Sequence, residues 1–286
     1  MIDLQAAIEY VWCNGRLLER AALAQTLGLE VPGRVADVLR AYRTSDGGFG
    51  YALEPDLCAP EPQPLYVEFA FQTLYHCDLR SPDLAAGACE FMSQHADAER
   101  GIVTLFPSAL AHPHAAHWES PAAFEPSMDR LVSIVGLLAW QRVAHRWLGH
   151  ATDFCLERLS RIEIEDAHTL RNAFVLLESV RYLVDVSALR ARLVDQLSRA
   201  QFLIRDAPVR GYGLTPLNFC PSPEAYCRDL FTDGQYAGHL DDLASRQQPD
   251  GGWPITWSPP GDKAVWSWRA YATVRAIAVL RAWGRV

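Results

Sequence analysis

Apolar residues recur at the three- and four-residue spacing of an amphipathic α-helix along almost the whole chain of 286 residues, and strict alternation is rare. In the stretch from Leu131 to Trp147, for example, apolar side chains repeat on one helical face. Turn-forming residues cut this pattern into segments. The sequence therefore predicts an all-α protein with eleven helices, at residues 2–13, 16–28, 32–43, 65–77, 82–96, 127–148, 151–161, 166–184, 187–203, 234–248 and 265–283.

Four stretches without helical periodicity separate these segments, at residues 44–64, 97–126, 204–233 and 249–264. They are rich in Pro, Gly and aromatic residues, whereas disordered linkers are more polar. We therefore expect packed loops of the kind that often carry function. No shift in composition marks a domain boundary, so residues 1–286 are predicted to form a single domain.

Charge and hydropathy exclude several classes of partner. The chain has 26 basic against 34 acidic residues and a net charge of −8, without the basic face that nucleic acids and anionic membranes require. The first residues lack the basic start of a signal peptide, and the longest apolar run, Ile134–Trp140, is too short for a transmembrane segment. Seven scattered cysteines without paired spacing indicate free thiols in a reducing compartment. We expect a cytoplasmic protein.

Two similar turn sequences follow helical segments far apart in the chain, Ser45-Asp46-Gly47-Gly48-Phe49-Gly50 and Pro249-Asp250-Gly251-Gly252-Trp253-Pro254. Asp accepts hydrogen bonds from backbone N–H groups just ahead of it, and Gly permits positive φ. Asp46 and Asp250 are therefore predicted to be structural. Weaker copies at residues 100–102 and 210–212 suggest a repeat of about 40 to 55 residues, which is typical of stacked helix pairs.

These turns, the second of which follows Gln247-Gln248, resemble the repeats of the squalene-cyclase and prenyltransferase superfamily, including its QW motifs. The first copy departs from the pattern because it lacks the Gln. The resemblance, which is strongest to single-domain bacterial terpene-cyclase-like proteins, implies an α/α toroid of approximately (α/α)6 form. It further implies long Pro- and aromatic-rich loops at the mouth, and an apolar central cavity that holds isoprenoid chains.

The catalytic signatures of that superfamily are absent or incomplete. The chain has no D-x-D-D acid motif, and a candidate D-D-x-x-D at Asp241-Asp242 ends in Ser245. Asp56-Leu57-Cys58 has the spacing of two zinc ligands of protein prenyltransferases, but it lies near the wrong repeat. We therefore expect no cofactor and no metal, and an unphosphorylated apolar small molecule as the substrate.

Glu54 and Asp56 are the candidate catalytic residues. They flank Pro55 in the loop after the first turn, which a toroid would carry across its mouth. A carboxyl group desolvated by aromatics can have a raised pKa and act as a general acid. The alternative is a structural loop whose acids cap a helix or pair with Arg. Glu61 and Glu68 follow in the same region.

Aromatic residues are the candidates for substrate contact, because aromatic faces stabilise carbocations and also stack on apolar or sugar ligands. Arg269 could bind an anionic head group, but pairing with Glu54 or Asp56 is favoured. The loop of Tyr212, Asn218 and Phe219 could cap the barrel. The predicted substrate-binding set is Tyr66, Trp118, Trp257, Trp266, Trp268 and Arg269.

His112, His114 and His117, with Glu119 nearby, form a possible metal-ligand set in an irregular loop. The spacing is a weak signal, and a solvated or hydrogen-bonded His cluster is the favoured interpretation.

The leading hypothesis is acid-initiated cyclisation or rearrangement of an isoprenoid-like substrate, with Glu54 or Asp56 as the proton donor. One alternative is a carbohydrate-active enzyme with an (α/α) barrel, paired acids and Trp platforms. Another is a non-catalytic helical-repeat module that binds a lipid or a protein. The cavity discriminates among them: a dry aromatic pocket favours the first, an open polar groove the second, and a plugged cavity the third.

Overall fold

The computed structural model describes residues 2–29, 34–97 and 100–286, and within these ranges the chain is all-helical, with isolated bridges but no β-strand. No helix there combines the length and apolarity that crossing a membrane requires. The twelve α-helices of this part are α1 (Leu4–Asn14), α2 (Leu17–Leu27), α3 (Arg34–Arg40), α4 (Pro64–His76), α5 (Pro82–His95), α6 (Met128–Trp140), α7 (Arg146–Arg161), α8 (Ala167–Val180), α9 (Ser187–Leu197), α10 (Pro216–Phe219), α11 (Asp233–Ser245) and α12 (Asp262–Ala282).

Each predicted helix corresponds to an observed one, with two differences of substance. The predicted helix 127–148 is wrong as one element: α6 ends at Trp140, Arg142 has a left-handed φ of 57°, and α7 begins at Arg146. A left-handed residue ends an α-helix, and nothing in the apolar pattern marks this position. The short helix α10 was not predicted. Residues 32 and 33 of the predicted third helix lie outside the described residues.

The helices contact one another in a regular order. The even-numbered helices α4, α6 and α8 pack side by side, and α12 packs against α2. The odd-numbered helices α5, α7 and α9 likewise contact one another. Helix α12 also packs against α1, so the two ends of the described chain are neighbours. Buried apolar side chains from all twelve helices belong to one contiguous core.

The first Asp-Gly-Gly turn has the structural role that the sequence predicts. Asp46 Oδ1 accepts the backbone N–H of Gly48 at 3.0 Å. Gly47 has a φ of 90°, and a Cβ atom on it would lie 2.3 Å from the carbonyl oxygen of Gly87 in α5. Glycine is therefore required twice, for the left-handed backbone and for close contact with the next helix.

The second turn repeats this geometry at the other end of the chain. Asp250 Oδ1 accepts the N–H of Gly252 at 3.1 Å. Gly251 has a φ of 88°, and a Cβ on it would lie 2.2 Å from the carbonyl oxygen of Ala6 in α1. Gln247 joins the same contact, because its side chain donates to the Asp3 carbonyl at 2.7 Å and accepts the Asp3 N–H at 2.8 Å. The turn thus fastens the start of α1.

Candidate functional site

A cavity of about 840 Å³ lies among α4, α6, α8, α11 and α12, with residues 209–218 and 253–257 completing its wall. The cavity wall is mixed: apolar and aromatic residues alternate with polar and charged side chains of both signs. Its acids and bases are Glu68, Asp129, Asp166, Asp242, Arg130, Arg171, Arg246 and Arg275, and its histidines are His76, His168 and His239.

The part of the wall that α4 contributes is built from polar residues spaced by four within an otherwise apolar helix. In α4, Glu68, Gln72 and His76 all line the cavity while most of the remaining side chains are buried in the core. Residues four apart share a helical face, so three polar side chains in this register form one stripe. On α12, Trp268, Tyr271 and Arg275 share the face that lines the cavity. This interruption of an apolar pattern is the signal in the sequence that indicates a polar cavity.

Asp166, His168 and Tyr212 form a chain on the cavity wall, joined by a carboxylate–imidazole contact and a hydrogen bond. Asp166 caps α8, and its Oδ1 accepts the N–H groups of His168 and Thr169 at 2.8 and 3.1 Å. The same oxygen lies 3.3 Å from His168 Nδ1. On the other side of the ring, His168 Nε2 lies 3.1 Å from the Tyr212 hydroxyl. The carboxylate therefore favours the tautomer with its proton on Nδ1, which leaves Nε2 to accept the tyrosine proton.

The ring of Tyr212 stacks on His168 with centroids 5.5 Å apart and an interplanar angle of 14°. Tyr212 is 69% exposed, so its hydroxyl is within reach of a ligand. Partial burial, followed by the negative charge of Asp166, raises the pKa of Tyr212, which keeps the phenol protonated at neutral pH. A protonated phenol bonded to an oriented imidazole is an arrangement that can transfer protons.

Two further acids in the cavity have defined partners. Asp129 Oδ1 accepts the Asn172 amide at 3.0 Å, and burial raises the pKa of Asp129 against the effect of that bond. Glu68 accepts the Ser133 hydroxyl and forms an ion pair with Arg130. The surroundings of Asp129 thus favour a proton, whereas Glu68 is paired with a cation.

The side chains of Trp257 and Trp268 form an aromatic wall, with ring centroids 5.2 Å apart at 78°. Both indoles donate to Asp56 Oδ1, Trp268 at 2.8 Å and Trp257 at 3.4 Å. Asp56 is 3% exposed and lies outside the cavity lining. Burial raises the pKa of Asp56, and the bond from Trp268 is the largest opposing effect. The structure thus places Asp56 where it positions the two indoles.

Glu54, the other predicted catalytic acid, also lies outside the cavity lining. It is 4% exposed, and its Oε2 accepts the Asp56 N–H at 2.9 Å. Burial, and next the charge of Asp56, raise the pKa of Glu54 to about 8. The raised pKa expected of an acid in this loop is therefore present. The Glu54 carboxyl group, however, is buried in the core and does not line the cavity.

The remaining predicted substrate-binding residues do not reach the cavity. Tyr66 is fully buried and donates its hydroxyl to the Leu57 carbonyl at 2.8 Å. Trp118 contacts the His117 ring, and Trp266 is 50% exposed on the surface.

Arg269 serves the second turn. Its guanidinium donates two bonds of 2.8 Å to Asp250. The favoured prediction, that Arg269 pairs with Glu54 or Asp56, is wrong. Its bidentate partner is instead Asp250 of the second turn, which lies beside Arg269 of α12.

From the predicted capping loop, Tyr212 and Asn218 line the cavity, whereas Phe219 is buried in the core.

The three histidines of the possible metal site face different carboxylates. No group of three or more His, Cys, Asp or Glu side chains suited to a metal ion occurs in the described ranges. Each imidazole instead has its own acidic neighbour, His112 with Glu61 at 3.1 Å, His114 with Glu119 at 3.7 Å and His117 with Asp56 at 3.8 Å.

Four side chains from three helices meet at another part of the cavity wall: His76 of α4, Arg171 of α8, and Tyr271 and Arg275 of α12. Arg171 Nη2 lies 3.4 Å from His76 Nε2, and the Tyr271 hydroxyl lies 3.2 Å from His76 Nδ1. Burial first, and then the charges of both arginines, lower the pKa of His76 well below its ordinary value. His76 is therefore neutral at physiological pH.

Comparison with known proteins supplies a fold and no family. The sequence matches no protein-family model and no curated protein. A crystal structure of a protein from Actinoplanes is similar over 97% of this chain and 97% of that one, with a TM-score of 0.56 and 14% sequence identity. At this identity the likeness concerns the path of the chain alone.

Proposed function

We propose that the twelve helices form an α/α toroid of six pairs, with even-numbered helices inside and odd-numbered helices outside. Three observations support this arrangement. Even-numbered helices contact one another from α4 to α8, odd-numbered helices do so from α5 to α9, and α12 contacts α1 and α2. The cavity is lined by α4, α6, α8, α10 and α12, with only α11 of the odd set. The two Asp-Gly-Gly turns pack in the same way on the helix that follows them in such a ring.

We further propose that the protein is an enzyme that performs general acid–base chemistry on a carbohydrate-like, hydroxylated substrate in this cavity. The observation that carries the proposal is the Asp166–His168–Tyr212 chain, which borders a polar space large enough for a small ligand. The wall contains hydrogen-bond donors and acceptors and charged groups of both signs, and these complement the hydroxyl groups of a substrate. Burying them against an apolar isoprenoid would leave their hydrogen bonds unmade, at a cost of about 1–3 kcal/mol for each.

The residues that line the cavity have different roles in this proposed reaction. His168 and Tyr212 are the proton-transfer pair, and Asp166 orients the imidazole. Trp257 and Trp268 offer aromatic surface on which a sugar ring can stack. The opposing environments of Asp129 and Glu68, one favouring a proton and the other paired with Arg130, provide a second acid and a fixed carboxylate.

The test is turnover of a panel of neutral and acidic oligosaccharides, scored by new reducing ends or unsaturated products. We expect Tyr212→Phe and His168→Gln each to lower turnover of the accepted substrate by about 100-fold or more. Tyr51→Phe is the matched control, because Tyr51 is also exposed but lies outside the cavity lining. Turnover that survives both substitutions, or a complete lack of binding and turnover across the panel, contradicts the proposal. Binding without turnover favours a non-catalytic module.

A second candidate is the acid-initiated reaction of an isoprenoid, favoured by the contact between Asp56 and the two cavity indoles. Cation-stabilising aromatic faces would then lie beside a buried acid. Against it, Asp56 Oδ1 already accepts both indole N–H groups. Incubation with squalene and geranylgeraniol tests it: cyclised products that disappear in Asp56→Asn support this candidate, and unchanged substrate excludes these two compounds.

A further inference from the structure

We propose that Arg171 and Arg275 form an oxyanion subsite in the cavity, so that the substrate carries a carboxylate or a phosphate group in addition to its hydroxyls. This inference deepens the proposed function, on which it rests for the identity of the substrate as a hydroxylated small molecule. The subsite itself can be tested without turnover.

Arg275 is a charged side chain without a protein partner. It lines the cavity from the middle of α12, and in the described part of the chain it forms no hydrogen bond and no ion pair. Arginine in the interior of a protein is almost always paired, because its desolvated charge is costly. An arginine left unpaired on a cavity wall is therefore available for a ligand.

Arg171 is nearly as free. Its hydrogen-bonding contacts are Asn172 Oδ1 at 3.3 Å and His76 Nε2 at 3.4 Å, and neither neighbour carries a negative charge. The two guanidiniums border the same small void beside His76. Burial first, and also the positive charge of Arg171, lower the pKa of Arg275. Two cations that repel each other inside the protein are what a bound anion would neutralise.

The neighbouring groups are arranged to present donors. Because arginine can only donate, its contact requires His76 Nε2 to be the acceptor, and the imidazole proton then lies on Nδ1 and points to the Tyr271 oxygen. The Tyr271 hydroxyl proton remains available to the cavity. Arg171, Arg275 and Tyr271 thus offer donors to one region of the wall, which matches the acceptor-rich oxygens of a carboxylate or phosphate.

The acids that border neighbouring voids have other partners. Small voids of about 20 Å³ beside Arg275 are bordered by Glu19 and Glu178. Glu19 forms an ion pair with Arg16, and Glu178 accepts the Tyr75 hydroxyl at 2.7 Å. Neither forms an ion pair with Arg171 or Arg275 in the residues that the structure describes. Within the described residues, therefore, no carboxylate lies within ion-pair distance of either arginine.

The experiment measures binding by calorimetry and thermal shift with four probes: glucuronate, glucose 6-phosphate, neutral glucose and inorganic phosphate. We expect one of the two anionic sugars to bind at least tenfold more tightly than glucose, and inorganic phosphate to bind weakly at the same site. Preference for glucuronate assigns a carboxylate substrate, and preference for glucose 6-phosphate assigns a phosphorylated one.

Arg275→Gln and Arg171→Gln should each weaken binding of the anionic probes at least tenfold and leave the affinity for glucose unchanged. Arg146→Gln is the control, since Arg146 is exposed on α7 and lies outside the cavity lining. Removing one of two repelling cations should leave the melting temperature of the ligand-free protein unchanged or raised. If one variant does not fold, the binding measurements on the other variant alone test the subsite.

The outcomes separate this inference from the proposed function. Loss of phosphate and glucuronate binding in the arginine variants supports the subsite even if no saccharide is turned over. Turnover of neutral saccharides together with equal binding of anionic and neutral probes overturns the subsite and leaves the proposed function intact. Anion binding that survives both substitutions, or no anion binding by the unaltered protein, also overturns it.

Discussion

The protonation of Glu54 makes the stability of this protein depend on pH in a direction opposite to that of most carboxylates. Glu54 is buried beside Asp56, and its pKa is raised from 4.5 to about 8 by burial first and by the Asp56 charge second. Below pH 4.5 both the folded and the unfolded chain hold this proton. Between pH 4.5 and about 8 the unfolded chain releases it while the folded chain keeps it. The free energy of unfolding must therefore fall as the pH rises through this window.

The magnitude follows from the same values. Each pKa unit corresponds to about 1.4 kcal/mol, so a change from 4.5 to about 8 sets an upper limit of about 5 kcal/mol. The hydrogen bond from the Asp56 N–H, and then the charges of Arg16 and Arg130, oppose the rise in the pKa of Glu54, and local relaxation reduces the penalty of a buried charge further. We expect an effect of at least about 2 kcal/mol between pH 5 and pH 8.

The assay is urea unfolding at pH 5, 6, 7 and 8 for the unaltered chain and for Glu54→Gln. The glutamine amide oxygen can still accept the Asp56 N–H, but the side chain cannot ionise. The difference in unfolding free energy between the two proteins should shift in favour of the variant as the pH rises. Glu224→Gln, at an exposed position, is the control and should show a constant difference. Parallel curves for Glu54→Gln and the unaltered chain would refute the reasoning.

Two further predictions concern the second turn. Gly251→Ala should destabilise the chain by about 2–4 kcal/mol in urea unfolding, because φ is 88° and the new Cβ would lie 2.2 Å from the Ala6 carbonyl oxygen. The control is Gly149→Ala, in open space on α7, which should stabilise the chain by up to about 1 kcal/mol. Equal effects of the two substitutions on the free energy of unfolding would contradict the argument. Arg269→Met should cost about 1 kcal/mol at pH 7, because the partner Asp250 is half-exposed. The bond from Arg269 holds the pKa of Asp250 below 3.8, so this cost should disappear as the pH falls below that value, and a cost that persists at pH 2.5 would show that packing dominates.

The helices were predictable because their information is local. Apolar periodicity and turn residues located eleven of the twelve helices, with ends that differ by up to eight residues. The Asp-Gly-Gly sequences identified two turns in which the first glycine, Gly47 or Gly251, has a positive φ. The break between α6 and α7 was not predictable, since Arg142 is not a residue type that signals a left-handed backbone. Its conformation is decided by packing around it.

The site was less predictable than the fold, and the reason is physical. Trp257 and Trp268 were identified by composition and do line the cavity. Arg171 and Arg275 were not identified, because nothing in the sequence distinguishes either from the other charged residues of α8 and α12. Arg171 and Arg275 form a cluster only because the fold brings α8 and α12, which are distant in sequence, next to the same cavity. The four-residue spacing of Glu68, Gln72 and His76 in α4 is visible in the sequence. Interpreting it as a cavity wall, however, requires knowing which face of the helix points inward.

The bond between Gln247 and Asp3 joins groups 244 positions apart along the chain. Contacts so distant in sequence close only after most of the polypeptide is ordered, because the entropy of bringing the ends together must first be offset by local structure. We therefore expect the seam between α1 and the second turn to form late in folding and to open first. Substitutions of Gln247 should accelerate unfolding and leave the refolding rate nearly unchanged in stopped-flow measurements, and a slowed refolding limb would instead place this seam in the folding nucleus.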